Sequence, residues 1–244
     1  MLKKKIKLVA LIPARQGSER IKNKNIIKLF NLPLLAHTIV AAKKSKIFDK
    51  IILSTDSKKY SYIGSKFGAE TPFLRPKILS KSTSPDFDWV KYTLDRLIKT
   101  GNDFTHFFIL RPTNPFRTHK TILRAWQKFK KIKNADSLRA VEICKQHPGK
   151  MWTHSGNFIY PLLSKKKKSQ PYYNMQFKSL PKILVQNGSL EISKISVIKK
   201  NKTITGKKII PFLTSSEEGF DINYPIDIAL AKHYKRKNRG HKNI

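Results

Sequence analysis

The chain is 244 residues long and 39% apolar, enough to build one large α/β domain and too apolar to remain disordered. Lys and Arg outnumber Asp and Glu by 51 to 15, a formal charge of +36 that favours anionic substrates or partners. No stretch approaches the roughly 20 apolar residues of a membrane span. Cys144, the only cysteine, excludes a disulfide framework or a cysteine metal cluster within one chain, so a cytoplasmic protein with no membrane partner is expected.

An apolar run over 6–12 predicts a buried first strand; it is short and soon followed by Arg15, unlike a signal peptide. Helices are predicted over 34–42 (with Pro33 as first helical residue), 58–67 (stopped by Gly68), 87–98, 120–129 and 225–234. Strands are predicted over 51–54, 107–110 and 138–143. This alternation predicts an α/β fold in three layers, a mostly parallel sheet with helices on both faces. Such a sheet holds ligands beyond the carboxyl ends of its strands, which gathers the loops 13–25, 55–57 and 111–117. The segment 155–184 carries three prolines and the lysine run 165–168, breaks the alternation and reads as an excursion. One domain over 1–234 is expected, with 235–244 a frayed basic tail.

The first loop holds Gly17, Ser18 and the cations Arg15, Arg20, Lys22 and Lys24. A strand opening into such a loop suits a polyphosphate: backbone N–H groups approach at glycine, and cations neutralise the charge. It is neither GxxxxGK[ST] nor GxGxxG. Asp56 follows the second strand and reads first as a helix cap, a role open to Ser57 as well. In Arg111-Pro-Thr-Asn-Pro-Phe-Arg117, two prolines stiffen a loop that offers Thr113, Asn114 and two arginines to a carboxylate or phosphate. His147 reads as structural, and Lys150 as the better partner for an anion. Asp221 and Asn223 alternate in Gly219-Phe-Asp-Ile-Asn223, so both oxygens can face one side and suit Mg²⁺; Asn223 can equally cap the helix that follows. No Ser/His/Asp arrangement, HExxH or CxxC occurs in a recognisable context.

These stretches resemble the acylneuraminate cytidylyltransferase (CMP-sialic acid synthetase) family. Ile12-Pro-Ala-Arg-Gln-Gly-Ser-Glu-Arg-Ile-Lys-Asn-Lys-Asn25 resembles its opening signature, Ser54-Thr-Asp56 its STD, Phe73-Leu-Arg-Pro76 its FLRP and Leu110-Arg-Pro-Thr-Asn-Pro-Phe-Arg-Thr118 its LQPTSPLRT. His147-Pro-Gly-Lys150, Gln186-Asn-Gly188 and Phe220-Asp-Ile-Asn223 follow in the family's order. The resemblance implies a Rossmann-like nucleotidyltransferase that joins CTP and an acidic nonulosonic sugar to give a CMP-sugar and pyrophosphate, with Mg²⁺. By motif position, Ala14, Arg15, Gly17, Ser18, Lys24, Asn25, Arg75 and Asp86 would bind the nucleotide. Arg111, Thr113, Lys150 and Asn187 would bind the sugar acid, and Asp221 and Asn223 the metal. Arg15, Lys24 and Asp221 would carry the catalysis. A homodimer is implied, with the 155–184 excursion as its arm.

Three departures stand at the acceptor end. Asn223 replaces the second aspartate of DID, Arg111 the glutamine before Pro-Thr, and Val185 an arginine before the NG segment. They imply an acceptor other than N-acetylneuraminate, such as a legionaminic or pseudaminic acid. Activation of 3-deoxy-manno-octulosonate is a sibling alternative. A polyanion- or RNA-binding protein on an inactive nucleotidyltransferase fold is the rival. Nucleic acid is not the expected partner, because lysines are spread along the whole chain without a recognisable nucleic-acid motif. Lysines in one stripe away from the loops would favour the rival; lysines scattered or ringing the cleft would favour the enzyme.

Overall fold

The computed structural model describes residues 5–164 and 170–240. In chain order the elements are β1 (Leu8–Pro13), a two-strand hairpin β2 (Lys28–Leu29) and β3 (Leu32–Pro33), α1 (Leu34–Ser45), β4 (Lys50–Ser54), α2 (Lys58–Phe67), α3 (Asp86–Lys99) and β5 (His106–Ile109). Then come α4 (His119–Lys131), β6 (Ser137–Ile143), a second hairpin β7 (Trp152–Ser155) and β8 (Phe158–Pro161), β9 (Leu184–Lys194), α5 (Ile195–Asn201), β10 (Ile209–Leu213) and α6 (Pro225–Gly240). Six strands form one sheet in the order β10-β6-β9-β5-β1-β4. All pairings are parallel except those of β9, which runs antiparallel to both β5 and β6. None of the described helices is long and apolar enough to cross a membrane.

The strands sort their side chains by parity. Leu8, Ala10 and Ile12 of β1 face a core with α1, α2 and α4, whereas Val9 and Leu11 face one with α3 and α5. Both faces are covered, which is why β1 is apolar throughout. A third cluster joins Ile21 after β1 to Ile222, just before α6, and to Ala231 of α6. It fastens the C-terminal helix beside the first loop.

The expected elements are present within a few residues, and Gly68 stops α2 in a left-handed conformation (φ 100°). Pro33 stands one position earlier than expected, at the cap of α1. Helix α6 continues to Gly240, past the expected end at 234. The run 165–168 and the terminus 241–244 lie outside the described residues. Besides the two hairpins, three elements escaped the pattern. The first half of β9 is exposed over 184–186 and half-buried at Asn187-Gly188, β10 alternates under Pro211 at the sheet edge, and α5 is short.

Close packing of α2 on β4 gives one test. A Cβ at Gly64 would stand 2.5 Å from Cδ2 of the fully buried Leu53. Gly64→Ala is expected to destabilise the fold by about 1–3 kcal/mol despite better helix propensity; an unchanged urea midpoint would contradict this packing.

Acid sensitivity gives another. His106 packs edge-on against both Trp126 and Phe129, ring centroids 5.3 and 5.5 Å away. Burial, reinforced by nearby Lys194, pushes its imidazolium down to about 4. The unfolded chain takes up that proton near pH 6.5. The stability is therefore complete above 6.5 and is lost as pH falls towards 4, by at most about 3 kcal/mol. Urea midpoints at pH 7 and 4.5 measure it, and His106→Phe is expected to flatten that part of the profile.

Candidate active site

The first loop, the turn after β5 and the segment before α3 enclose a cleft of about 360 Å³ beyond the carboxyl ends of β1 and β5. The loop is braced from within. Gln16 N–H donates to Asp56 Oδ1 (2.8 Å), Asn25 Nδ2 to the Arg15 carbonyl (3.1 Å), and Arg15 Nη1 to the Gly17 carbonyl. Asp56 thus ties two loops together and Ser57 is the cap, accepting from Tyr60 N–H. Arg15, Ser18, Arg20, Lys24 and Asn25 line the cleft. Lys22 is exposed and not part of the lining.

Two residues expected to bind nucleotide do not line it. Ala14 is fully buried, and its N–H is spent on the Ser54 carbonyl (3.0 Å), which prolongs the β1–β4 pairing. Gly17 carries no steric demand in this loop, since a Cβ there would meet only Arg15 Nη1, at 3.5 Å. Arg75 does line the cleft. It is buried, donates to Ser54 Oγ and the Ser54 carbonyl (3.0 and 2.6 Å), and lies over the Trp89 ring at 4.7 Å. Burial lowers its guanidinium to about 10, still a cation at neutral pH.

The arginines of the second loop are committed internally. Arg111 lines the cleft but donates through Nη2 to both Asp86 and Glu191 (3.1 Å to the latter). Those carboxylates overcome burial and raise its affinity for the proton. Glu191 also pairs with Arg139. Asp86 accepts from Trp89 Nε1 as well (2.8 Å); burial alone would raise its carboxyl, but Arg111 holds it below the usual range. The Arg111 expected as an anion receptor is thus already neutralised. Arg117 is fully buried and donates to the Ser189 carbonyl, Thr38 Oγ1 (2.6 Å) and the Arg111 carbonyl (3.0 Å), so no ligand reaches it. Burial pushes it down to about 9.

Asp221 stands at the far side of this wall. Gly188 of β9 separates it from Arg111: a Cβ on that glycine would lie 3.5 Å from Asp221 Cγ and 3.6 Å from Arg111 Cδ. Its segment is pinned on both sides, by Ile222 N–H on the Thr113 carbonyl and by Lys24 Nζ on the Ile222 carbonyl, each 2.9 Å. Burial lowers the Lys24 ammonium, and Asp221 opposes that shift. Asp221 Oδ2 accepts from Asn223 Nδ2 (2.6 Å), whereas Oδ1 is buried with no partner. Asn223 Oδ1 accepts from Arg20 (3.2 Å), whose guanidinium covers the Tyr224 ring at 4.9 Å. Asn223 is not the cap of α6; Asp227 Oδ2 takes the N–H groups of Asn223 and Tyr224, both at 2.7 Å.

Asp221 also borders a second hollow of about 310 Å³, with Glu142, Lys145, Glu217 and Tyr234. Asn187 holds its wall, donating to Thr214 Oγ1 (2.9 Å) and Glu142 (3.4 Å). Thr113 lines the main cleft, but Lys150 lines neither cavity and donates to the Tyr173 carbonyl (3.1 Å) within the excursion. His147 is buried and structural, bonded to the Pro181 carbonyl and to Gly149 N–H.

Sequence reasoning missed the cleft wall formed by Leu79, Lys81, Ser82 and Ser84. Its trace was the hydroxyl-rich run after Phe73-Leu-Arg-Pro76. Glu142, Glu217 and Tyr234 left no trace, because three remote elements bring them together.

Among the described residues no three His, Cys, Asp or Glu side chains are placed to hold a metal alone. The orphaned, buried Asp221 Oδ1 nevertheless fits a hard cation that takes its remaining oxygens from a phosphate and water. A cation-rich cleft at the carboxyl ends of a mostly parallel sheet, with an unsatisfied carboxylate behind its Arg111–Gly188 wall, suits a nucleotidyltransferase.

Residues 9–154 match the Cytidylyltransferase family model. The chain belongs to that family. It is 33% identical to the CMP-N,N'-diacetyllegionaminic acid synthase of Legionella pneumophila, over 96% of this chain and 98% of that protein. It is 28% identical to the N-acylneuraminate cytidylyltransferase of Escherichia coli, over 97% of this chain and 54% of that one. In fold it is similar to CMP:2-keto-3-deoxy-manno-octonic acid synthetase complexed with CTP, at a TM-score of 0.68 and 12% identity, covering 95% and 99% of the two chains.

Proposed function

We propose that this enzyme transfers CMP from CTP to a nonulosonic acid of the legionaminic type and releases pyrophosphate. The reading rests chiefly on the cation-lined cleft beyond β1 and β5, with the orphaned carboxylate oxygen of Asp221 behind its wall. The full-length likeness to the legionaminic acid synthase supports the choice of acceptor.

Arg15, Arg20 and Lys24 face the triphosphate, with Ser18 and Asn25 beside them, and Arg75 and Asp86 stand towards the nucleoside. The sugar hydroxyl oxygen bonds to the α-phosphorus as the bond to the pyrophosphate oxygen breaks, and the hydroxyl proton passes to solvent water. Arg15 and Lys24 offset the charge that grows on the leaving group. Mg²⁺ held by Asp221 would add Lewis-acid stabilisation of the phosphate oxygens. Asn223 acts on Asp221, whose Oδ2 it occupies, and leaves Oδ1 for the cation. Arg111 shapes the wall between the two substrates as a guanidinium neutralised by Asp86 and Glu191.

The proposed assembly is a homodimer. The excursion exposes apolar side chains, among them Phe158 (68%), Ile159 (58%) and Tyr160 (52%), that a second copy would cover. Phe158→Ser with Tyr160→Ser is expected to halve the mass measured by light scattering; a monomeric parent protein would overturn this. The lone Cys144 suits the cytoplasm as the working compartment.

The function is tested by pyrophosphate release from CTP with a panel of sugar acids, with and without Mg²⁺. Release with a legionaminic-type acid, lost on chelation, is the expected result. Release with 3-deoxy-manno-octulosonate alone would move the acceptor to the smaller acid, and no release with any acid would overturn the enzyme reading.

A further inference from the structure

The end of the sheet away from the cleft is built by three turns lying side by side. Because β10 pairs parallel with β6 and β9 runs antiparallel beside it, the starts of β6 and β10 and the end of β9 share one edge. Lys194 Nζ donates to the Lys133 carbonyl (3.1 Å), and the N–H groups of Lys207 and Lys208 donate to Asp136 Oδ2 (2.8 and 3.0 Å), so the turns are bound together.

Each turn exposes lysines. Lys131 and Lys133 leave the α4–β6 turn, Lys199 and Lys200 end α5, and Lys202, Lys207 and Lys208 lead into β10. Helix dipoles account for those in last turns, Lys131, Lys199 and Lys200. Lys202 caps α5 and shares that reason, whereas Lys133, Lys207 and Lys208 lie outside the helices and have none. Asp136 is engaged by the backbone, and Asp103 stands in a neighbouring hollow with Lys194 and Lys199, so the edge keeps a strong positive excess. In the midst of these cations Ile132 and Ile209, each 47% exposed, share a shallow hollow with Lys208.

We propose that this edge docks the enzyme onto an anionic lipid surface. Seven exposed lysines on three turns match the diffuse negative charge of a phospholipid head-group layer. The two isoleucines supply the apolar contact that charge alone does not. Nucleic acid fits less well: these cations are all lysines, without the arginine fork, and none of the described exposed aromatic residues lies in these turns to stack a base. These lysines do gather away from the ligand loops, as a polyanion-binding protein would have them, but cations line the cleft too, so docking by this edge adds to the enzyme and leaves the cleft, at the other end of the strands, open to its substrates.

The full chain is floated with phosphatidylglycerol–phosphatidylcholine vesicles and with phosphatidylcholine alone, at ~0.1 M salt. Binding at least about tenfold stronger to the anionic vesicles is expected. It should fall about tenfold when Lys199, Lys200, Lys207 and Lys208 become Glu, and fall also in Ile132→Ser with Ile209→Ser, which keeps the charge. The charge-matched control changes Lys59, Lys77, Lys120 and Lys182 to Glu. Equal losses in both quadruple variants would reduce the effect to net charge and overturn the proposal. Indifference to the isoleucines would overturn the lipid assignment, as would edge-dependent binding of polyuridylate without vesicle binding. Lys→Gln at the same four positions replaces the Glu variant if that variant does not fold.

Discussion

Asp221→Asn is expected to lower kcat for pyrophosphate release by about two to three orders of magnitude at saturating CTP, while the unfolding midpoint stays close to that of the parent. An amide oxygen can still accept the hydrogen bond that Asn223 Nδ2 gives to Asp221 Oδ2, so the local geometry survives. What disappears is the charge behind the partnerless Oδ1. Lys24 and Arg117 also lose the carboxylate that opposes the effect of their burial. The expected loss is therefore in turnover and in Mg²⁺ dependence, with a lesser change in KM for CTP, because Arg15, Arg20 and Lys24 remain on the cleft. An Asp221→Asn enzyme with the parent's kcat and Mg²⁺ response would remove Asp221 from the reaction.

Arg117→Met is expected to destabilise the protein by about 3 kcal/mol or more in urea titration. The guanidinium is fully buried and serves the Ser189 carbonyl, Thr38 Oγ1 and the Arg111 carbonyl, acceptors from three separate segments. Methionine fills much of the volume and leaves those acceptors without donors; each buried unsatisfied group costs about 1–3 kcal/mol. Relief from burying a cation offsets part of this, since burial already pulls Arg117 down to about 9. A loss below about 1 kcal/mol would mean that the residue is not the hub of this wall.

The fold was largely legible because most elements announce themselves over short windows. The run at 6–12, the helical spacing of Ile122, Ala125, Trp126 and Phe129, and Gly68 each report on neighbours a few residues away. Strand β9 was not legible: its exposed first half reads as a turn, and its antiparallel run between β5 and β6 is set by partners remote in sequence. The site was legible as a set of loops in the right places. Arg15, Ser18, Lys24, Asn25, Arg75, Asp86, Arg111 and Thr113 do meet on one cleft. Lys150 does not, because its ammonium is held by the Tyr173 carbonyl of the excursion.

The sequence by itself determined the class of fold, the order of the ligand loops and their positive charge, since periodicity and composition are local properties of the chain. Only the tertiary structure decided which cations are free to act. Arg111 and Arg117 look equivalent to Arg15 and Arg20 in the sequence. Arg111 meets carboxylates 25 and 80 residues away, and Arg117 a carbonyl 72 residues away. A guanidinium spent on buried acceptors has little left to give a ligand. The same long-range pairing leaves one oxygen of Asp221 without a partner and gathers the lysines of three distant turns on one edge.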